Sequence, residues 1–146
     1  MSIFLDMAFA EAEAAAARGE VPVGAVLVRG GSVLARAGNR IEELSDPTAH
    51  AEILAIRAAA LAVGAPRLTG CQLWVTLEPC PMCAQAIALA RIERLYFAAY
   101  DPKGGGVDHG PRLFDLPNCN HRPEVIGGLA ETAGGELLRR FFQERR

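Results

Sequence analysis

Two short motifs, each at the mouth of a helix-forming run, restrict what this chain can fold into more than any other feature. His50-Ala51-Glu52 opens the run Ala49–Val63, and Pro79-Cys80-Pro81-Met82-Cys83 opens an Ala-rich run reaching about Ile92. Cys80 and Cys83 are three apart, so on a first helical turn their sulfurs share a face and can hold one metal ion. A third ligand must come from elsewhere, and His50 is the candidate. One imidazole and two thiolates suit Zn²⁺ better than Mg²⁺ or Ca²⁺, which take oxygen ligands. Two thiolates neutralise the ion, and a helix N-terminus favours negative sulfur. A fourth position left open holds water, whose pKa falls towards about 7.

Glu52 follows His50 by two positions, which on a helix turns it about 200° away from the ligand. It is therefore read as a proton carrier within reach of that water rather than as a ligand. H-x-E followed by P-C-x-x-C is the signature of zinc deaminases. Two other readings use the same cysteines. Cys-Pro-Met-Cys between a strand and a helix also suits a thioredoxin-type redox motif, and a closed structural zinc site would recruit Cys119 or His121. Neither gives Glu52 a purpose. Cys71 reads as a small core residue, Cys119 as a loop thiol, and Asp46 and Thr48 as helix caps.

The segment after Met1 has no basic run before an apolar one, so no secretory signal is read and a cytoplasmic protein is expected. Its cysteines are then metal-binding or catalytic rather than disulfide partners. The longest apolar stretches are broken by Arg57 or Arg91, too short for a membrane span. With 146 residues and 51% hydrophobic composition, one domain over residues 1–146 can bury a core without disulfides.

An opening amphipathic helix is expected from Ile3, Phe4, Met7, Ala8 and Ala14 to about Arg18, ended by Gly19. Val21–Val28 and Ser32–Ala35 read as a hairpin around Arg29-Gly30-Gly31. Asn39–Thr48 is polar, and a buried helix begins near His50 and stops at Gly64-Ala65-Pro66. Gln72–Leu77 is a buried strand before the Cys80 helix, and Arg94–Tyr100 is the next. The alternation favours an α/β layer sandwich with parallel crossovers. Asp101–Arg122 is a long Gly-rich connection, of the kind that is functional or mobile. Glu124–Ile126 is a short edge strand and Leu129–Arg146 a last helix.

The formal charge is −2, from 15 Lys+Arg against 17 Asp+Glu, which excludes a generic nucleic-acid coat but not a local basic patch. Charge is unevenly spread. Residues 1–20 are acidic, whereas the C-terminus gathers Arg139, Arg140, Arg145 and Arg146.

Nearly end to end, the chain resembles the bacterial tRNA-specific adenosine deaminase family of the cytidine deaminase-like superfamily. The matching segments are Val21–Val28, Gly38-Asn39-Arg40, Asp46–Glu52, Val75–Cys83, Asp101–Gly104, Asn120-His121-Arg122 and Phe141–Arg146. The resemblance implies a three-layer α/β/α sandwich with a five-stranded mixed sheet, and a homodimer. It implies one Zn²⁺ per chain on His50, Cys80 and Cys83, with Glu52 shuttling protons while activated water attacks C6. The substrate implied is adenosine at the wobble position of a tRNA anticodon stem-loop, an arginine tRNA in particular, and the product inosine. Asn39 would hydrogen-bond the target base. Lys103, Phe142, Arg145 and Arg146 are candidate RNA contacts, since an aromatic stacks on a base and a cation meets phosphate. A free-nucleobase deaminase acting on guanine or cytosine is the rival, for which the basic aromatic tail has no use.

Overall fold

The computed structural model describes residues 2–145. Strands β1 (Gly24–Arg29) and β2 (Ser32–Gly38) form the expected hairpin around a Gly30-Gly31 turn. β1 begins three residues later than its apolar run, and β2 continues to Gly38. Strands β3 (Cys71–Leu77), β4 (Arg94–Ala99) and β5 (Glu124–Ile126) complete a sheet of order β2-β1-β3-β4-β5. β1 is antiparallel to β2 and β3, while β3, β4 and β5 run parallel. The sheet is therefore five-stranded and mixed.

Helices cover both faces. On one, α3 (Ala51–Val63) and α4 (Pro81–Leu89) close the main core around Leu27, Leu73, Val75, Ile87, Leu95 and Phe97. On the other, α1 (Ile3–Ala17) lies across β1 to β3, and α5 (Glu131–Glu144) lies against β4. The buried stripe of α1 is Leu5, Ala8, Ala12 and Ala15, at the three- and four-residue spacing of one helix face. Ile3, expected on that stripe, is 63% exposed. The helix is begun by Ser2, whose hydroxyl accepts from the Phe4 N–H at 3.2 Å. Small residues let α1 sit close to the sheet. A Cβ on Gly24 would strike the Ala8 carbonyl and come within 2.7 Å of the Ala12 nitrogen. Gly24→Ala is therefore expected to cost about 1–3 kcal/mol of stability, read as a lower urea midpoint with an unchanged slope.

Further departures concern the last helix, which begins at Glu131 instead of Leu129, the Cys80 helix and the segment after β2. The Cys80 helix stops at Leu89 instead of Ile92, because Arg91 takes a left-handed conformation (φ 61°) and the Ala90 carbonyl accepts from the Leu68 N–H at 2.7 Å. A short helix, α2 (Ile41–Leu44), interrupts the polar segment after β2. The buried Glu20 carboxylate holds it, accepting from the N–H groups of Glu42 and Glu43 at 3.1 and 2.9 Å. That support comes from more than twenty residues away and leaves no local trace. Among the described residues, no helix is long and apolar enough to cross a membrane.

Candidate active site

The carboxyl ends of β2, β3 and β4 share one edge of the sheet, where α/β folds collect their ligands. Asn39 follows β2, Glu78 to Cys80 follow β3, and Asp101 follows β4. They wall a cavity of about 270 Å³ together with Val21, Val23, Ile41, His50, Glu52, Leu77 and Gly104.

The metal ligands meet as expected. His50 Nδ1 lies 3.7 Å from Cys80 Sγ and 3.5 Å from Cys83 Sγ. A tetrahedral zinc ion with bonds of 2.0–2.1 Å to nitrogen and 2.3 Å to sulfur separates such atoms by about 3.6 Å. All three ligand atoms lie within 4.8 Å of one another, so the donor set fits zinc in both chemistry and spacing. Among the described residues it is the one such cluster of metal-ligating side chains. Cys119 and His121 do not join it. The Cys119 thiol donates to the His121 carbonyl, and His121 Nε2 meets the Ile92 carbonyl at 2.7 Å, beyond the far end of α4. Cys71 is buried in β3.

Glu52 reaches the same place by a route that helix geometry alone misses. His50 is the residue before α3, with an extended backbone (φ −72°, ψ 150°), so the angle reckoned for two helical positions does not apply. Both side chains face the cavity. Glu52 is 4% exposed, and its Oε1 is buried without a hydrogen-bond partner. An unpartnered buried carboxylate oxygen is costly unless something else meets it, which marks the open side of the cluster as the place of a ligand.

The electrostatics are those of a proton-handling site. Burial raises the Glu52 pKa to about 7. The Cys80 sulfur raises that of His50, burial opposing it. As protein groups alone, the two thiols share one proton. Its donation by Cys83 holds Cys80 at about 4 and drives Cys83 far up.

Asn39 is buried and does two things. Its Oδ1 accepts from the Ala51 N–H at 2.8 Å, capping α3 beside His50. Its amide NH₂ is what remains to offer a ligand in the cavity it lines. Lys103 is exposed and outside the cavity lining. Phe141 is buried and Phe142 is 49% exposed, so only the second is free to stack. Arg145 is already engaged: its guanidinium covers the Phe141 ring at 3.7 Å and donates to the Ala16 carbonyl at 3.3 Å. That contact pins the tail to the end of α1, where Arg18 donates to the Asn39 carbonyl. Arg146 lies outside the described residues.

Known proteins agree with the geometry. The model of the cytidine and deoxycytidylate deaminase zinc-binding region matches residues 1–99. A tRNA-specific adenosine deaminase of Agrobacterium fabrum (strain C58) is 57% identical over 143 residues, covering 98% of this chain and 94% of its own length. The chain belongs to the tRNA-specific adenosine deaminase family. A solved member, described as carrying out A-to-I editing at the wobble position of transfer RNA, superposes with a TM-score of 0.91 at 57% identity. It covers 92% of this chain and 98% of its own. A guanine deaminase of Bacillus subtilis matches less well, with a TM-score of 0.65 and 40% identity, covering 68% of this chain and 66% of its own. Family membership thus carries the zinc site with it, and the three-layer mixed-sheet fold is the family's.

Seven lining residues had no site role read for them in the sequence, among them Glu78, hidden in the metal motif itself, and Ile41, on the unexpected α2. A carboxylate directly before Pro79-Cys80 is the sequence signal for Glu78.

Proposed function

We propose that this chain hydrolyses adenosine to inosine at the wobble position of a tRNA anticodon, with an arginine tRNA as the expected substrate. One observation carries the chemistry: Glu52, whose buried Oε1 has no hydrogen-bond partner, lines a cavity shared with His50 and Cys80. His50, Cys80 and Cys83 would hold zinc there, which when bound would lower the pKa of a water to about 7. Glu52, whose pKa burial raises to about 7 in the zinc-free protein, can take one proton from that water and pass it to N1 of the purine, then take the second from the hydroxyl formed at C6 and pass it to the amine, which leaves as ammonia. Asn39 offers its amide NH₂ to an acceptor on the base edge. Val21, Val23, Ile41 and Leu77 give the base apolar walls.

A base enters such a cavity only when splayed from its stack, which costs least in a single-stranded loop. Phe142, exposed at the tail, would stack on a base, and the exposed Lys103 would meet phosphate. Arg145 supports the tail by packing, and Arg146 remains a candidate contact. Removing residues 142–146 is expected to raise KM for the stem-loop and flatten its salt dependence; an unchanged KM removes the tail from the interface.

We also read the assembly as a homodimer. Leu61 on α3 and Leu89 on α4 are 85% and 69% exposed on the same side of the sheet, apolar surface that a second copy would cover. Sedimentation at the mass of two chains supports this; a single-chain mass contradicts it.

The substrate reading is tested by ammonia release from an anticodon stem-loop with wobble adenosine, beside free adenosine, guanine and cytosine. Only the stem-loop should react, and guanine turnover without stem-loop turnover would establish the rival.

A further inference from the structure

Part of the cavity wall comes from a Gly-rich loop, Asp101 to Gly110, with few apolar side chains of its own to hold it. We propose that Glu78 is the positioning residue that fixes this loop in its substrate-binding shape, so that it sets affinity for the tRNA substrate rather than the rate of the chemical step. The proposal rests on the substrate reading above.

The Glu78 side chain is wholly buried. Its Oε1 accepts from the Asp101 N–H at 3.0 Å and meets His109 Nδ1 at 2.7 Å. Its Oε2 accepts from the N–H groups of Val107, Asp108 and His109 at 3.1, 2.9 and 3.1 Å. Every one of these partners belongs to the loop. With both oxygens so engaged, Glu78 has no lone pair to spend on substrate protons, unlike Glu52.

The loop in turn presses on the metal motif. The Gly106 N–H donates to the Pro79 carbonyl at 2.8 Å. A Cβ on Gly106 would lie 2.5 Å from the Pro81 nitrogen and 2.9 Å from the Cys80 carbonyl carbon, and one on Gly105 would strike the Glu78 carboxylate. Backbone therefore lies directly on backbone where Cys80 is presented. From this base the loop offers Asp101 and Gly104 to the cavity, with Asp101 Oδ1 accepting from the N–H groups of Lys103 and Gly104 at 3.2 and 2.9 Å.

A chain of this glycine content pays a large entropy cost to stay ordered. Charge-assisted hydrogen bonds to one buried carboxylate are the means of offsetting it. If the loop holds its binding shape only a tenth of the time, apparent affinity falls about tenfold with the intrinsic site unchanged.

In Glu78→Gln the amide NH₂ replaces one acceptor and points at N–H donors. The holoenzyme variant is compared with wild type for zinc content, for hydrogen exchange of the loop amides, and for KM and kcat on the anticodon stem-loop. The expected result is faster exchange at Val107, Asp108 and His109, and a KM raised about tenfold or more. Zinc stays bound and kcat stays within about threefold, as for a change in binding alone. Unchanged exchange, lost zinc, or a fall in kcat at constant KM would each overturn the proposal. Should Glu78→Gln not fold, His109 decides. His109→Phe keeps a ring against Tyr100 but loses the donor and should raise KM, whereas His109→Asn restores an N–H near the Nδ1 position and should recover it. Equal KM values for the two overturn the proposal. Wild-type enzyme that binds zinc but leaves the stem-loop unreacted refutes the substrate reading instead, and the exchange measurement still judges Glu78.

Discussion

Replacing Glu52 by Gln is expected to lower turnover by about 10²–10⁴-fold, the usual worth of a positioned general acid/base, while zinc remains at one per chain. The amide matches the carboxyl in shape but cannot take up and release a proton. Glu52 is no ligand in this account, so Glu52→Ala too should keep its metal, as measured by elemental analysis against protein concentration. Zinc lost in both variants would make Glu52 a ligand and refute its role. The same group has a stability signature in zinc-stripped protein. Burial raises its pKa from 4.5 to about 7, so the folded state prefers the protonated form. The stability due to this group is complete below pH 4.5 and is lost as pH rises through 7. Glu52→Gln should therefore gain on wild type in thermal melts above pH 7, the advantage vanishing below pH 4.5.

Cys83→Ser is expected to abolish stoichiometric zinc. Loss of an outer-shell partner alone weakens metal sites about 10–100-fold, and removing a thiolate from a three-ligand set should exceed that. Because bound ion stabilises only the folded chain, the melting temperature in excess zinc should fall as well. Cys71→Ser and Cys119→Ser, at thiols outside the cluster, should keep their metal. Retention of one zinc per chain by Cys83→Ser would contradict the ligand set.

What was legible in the sequence follows from the range of each interaction. His50, Cys80 and Cys83 were readable because the two cysteines share a helical turn and the histidine opens a helix, both local facts. β5 was readable at its bounds, Glu124–Ile126, from a short apolar run after a long polar loop. Glu52 was readable as a companion of the metal motif, but the angular argument against ligation assumed a helical His50, and the residue is extended. Helix α2 was invisible because its first turn is capped by Glu20, far away in the chain. Glu78 was passed over for the same reason: its partners lie 23 to 31 residues later, in a loop with no periodicity. Arg145 read as a free cation because nothing in the tail reveals that it folds back over Phe141 onto α1. Side chains set in a recognisable local motif announced themselves, and those that bridge segments without one did not.

Under the proposed function, this cavity exchanges the exocyclic amine of a wobble adenosine for oxygen from water. Zinc-loaded enzyme incubated with a full tRNA bearing wobble adenosine, in heavy-oxygen water, should yield inosine at that position alone, carrying the heavy isotope, with one ammonia per inosine. Unreacted wobble adenosine under conditions where the same enzyme deaminates free guanine would contradict it.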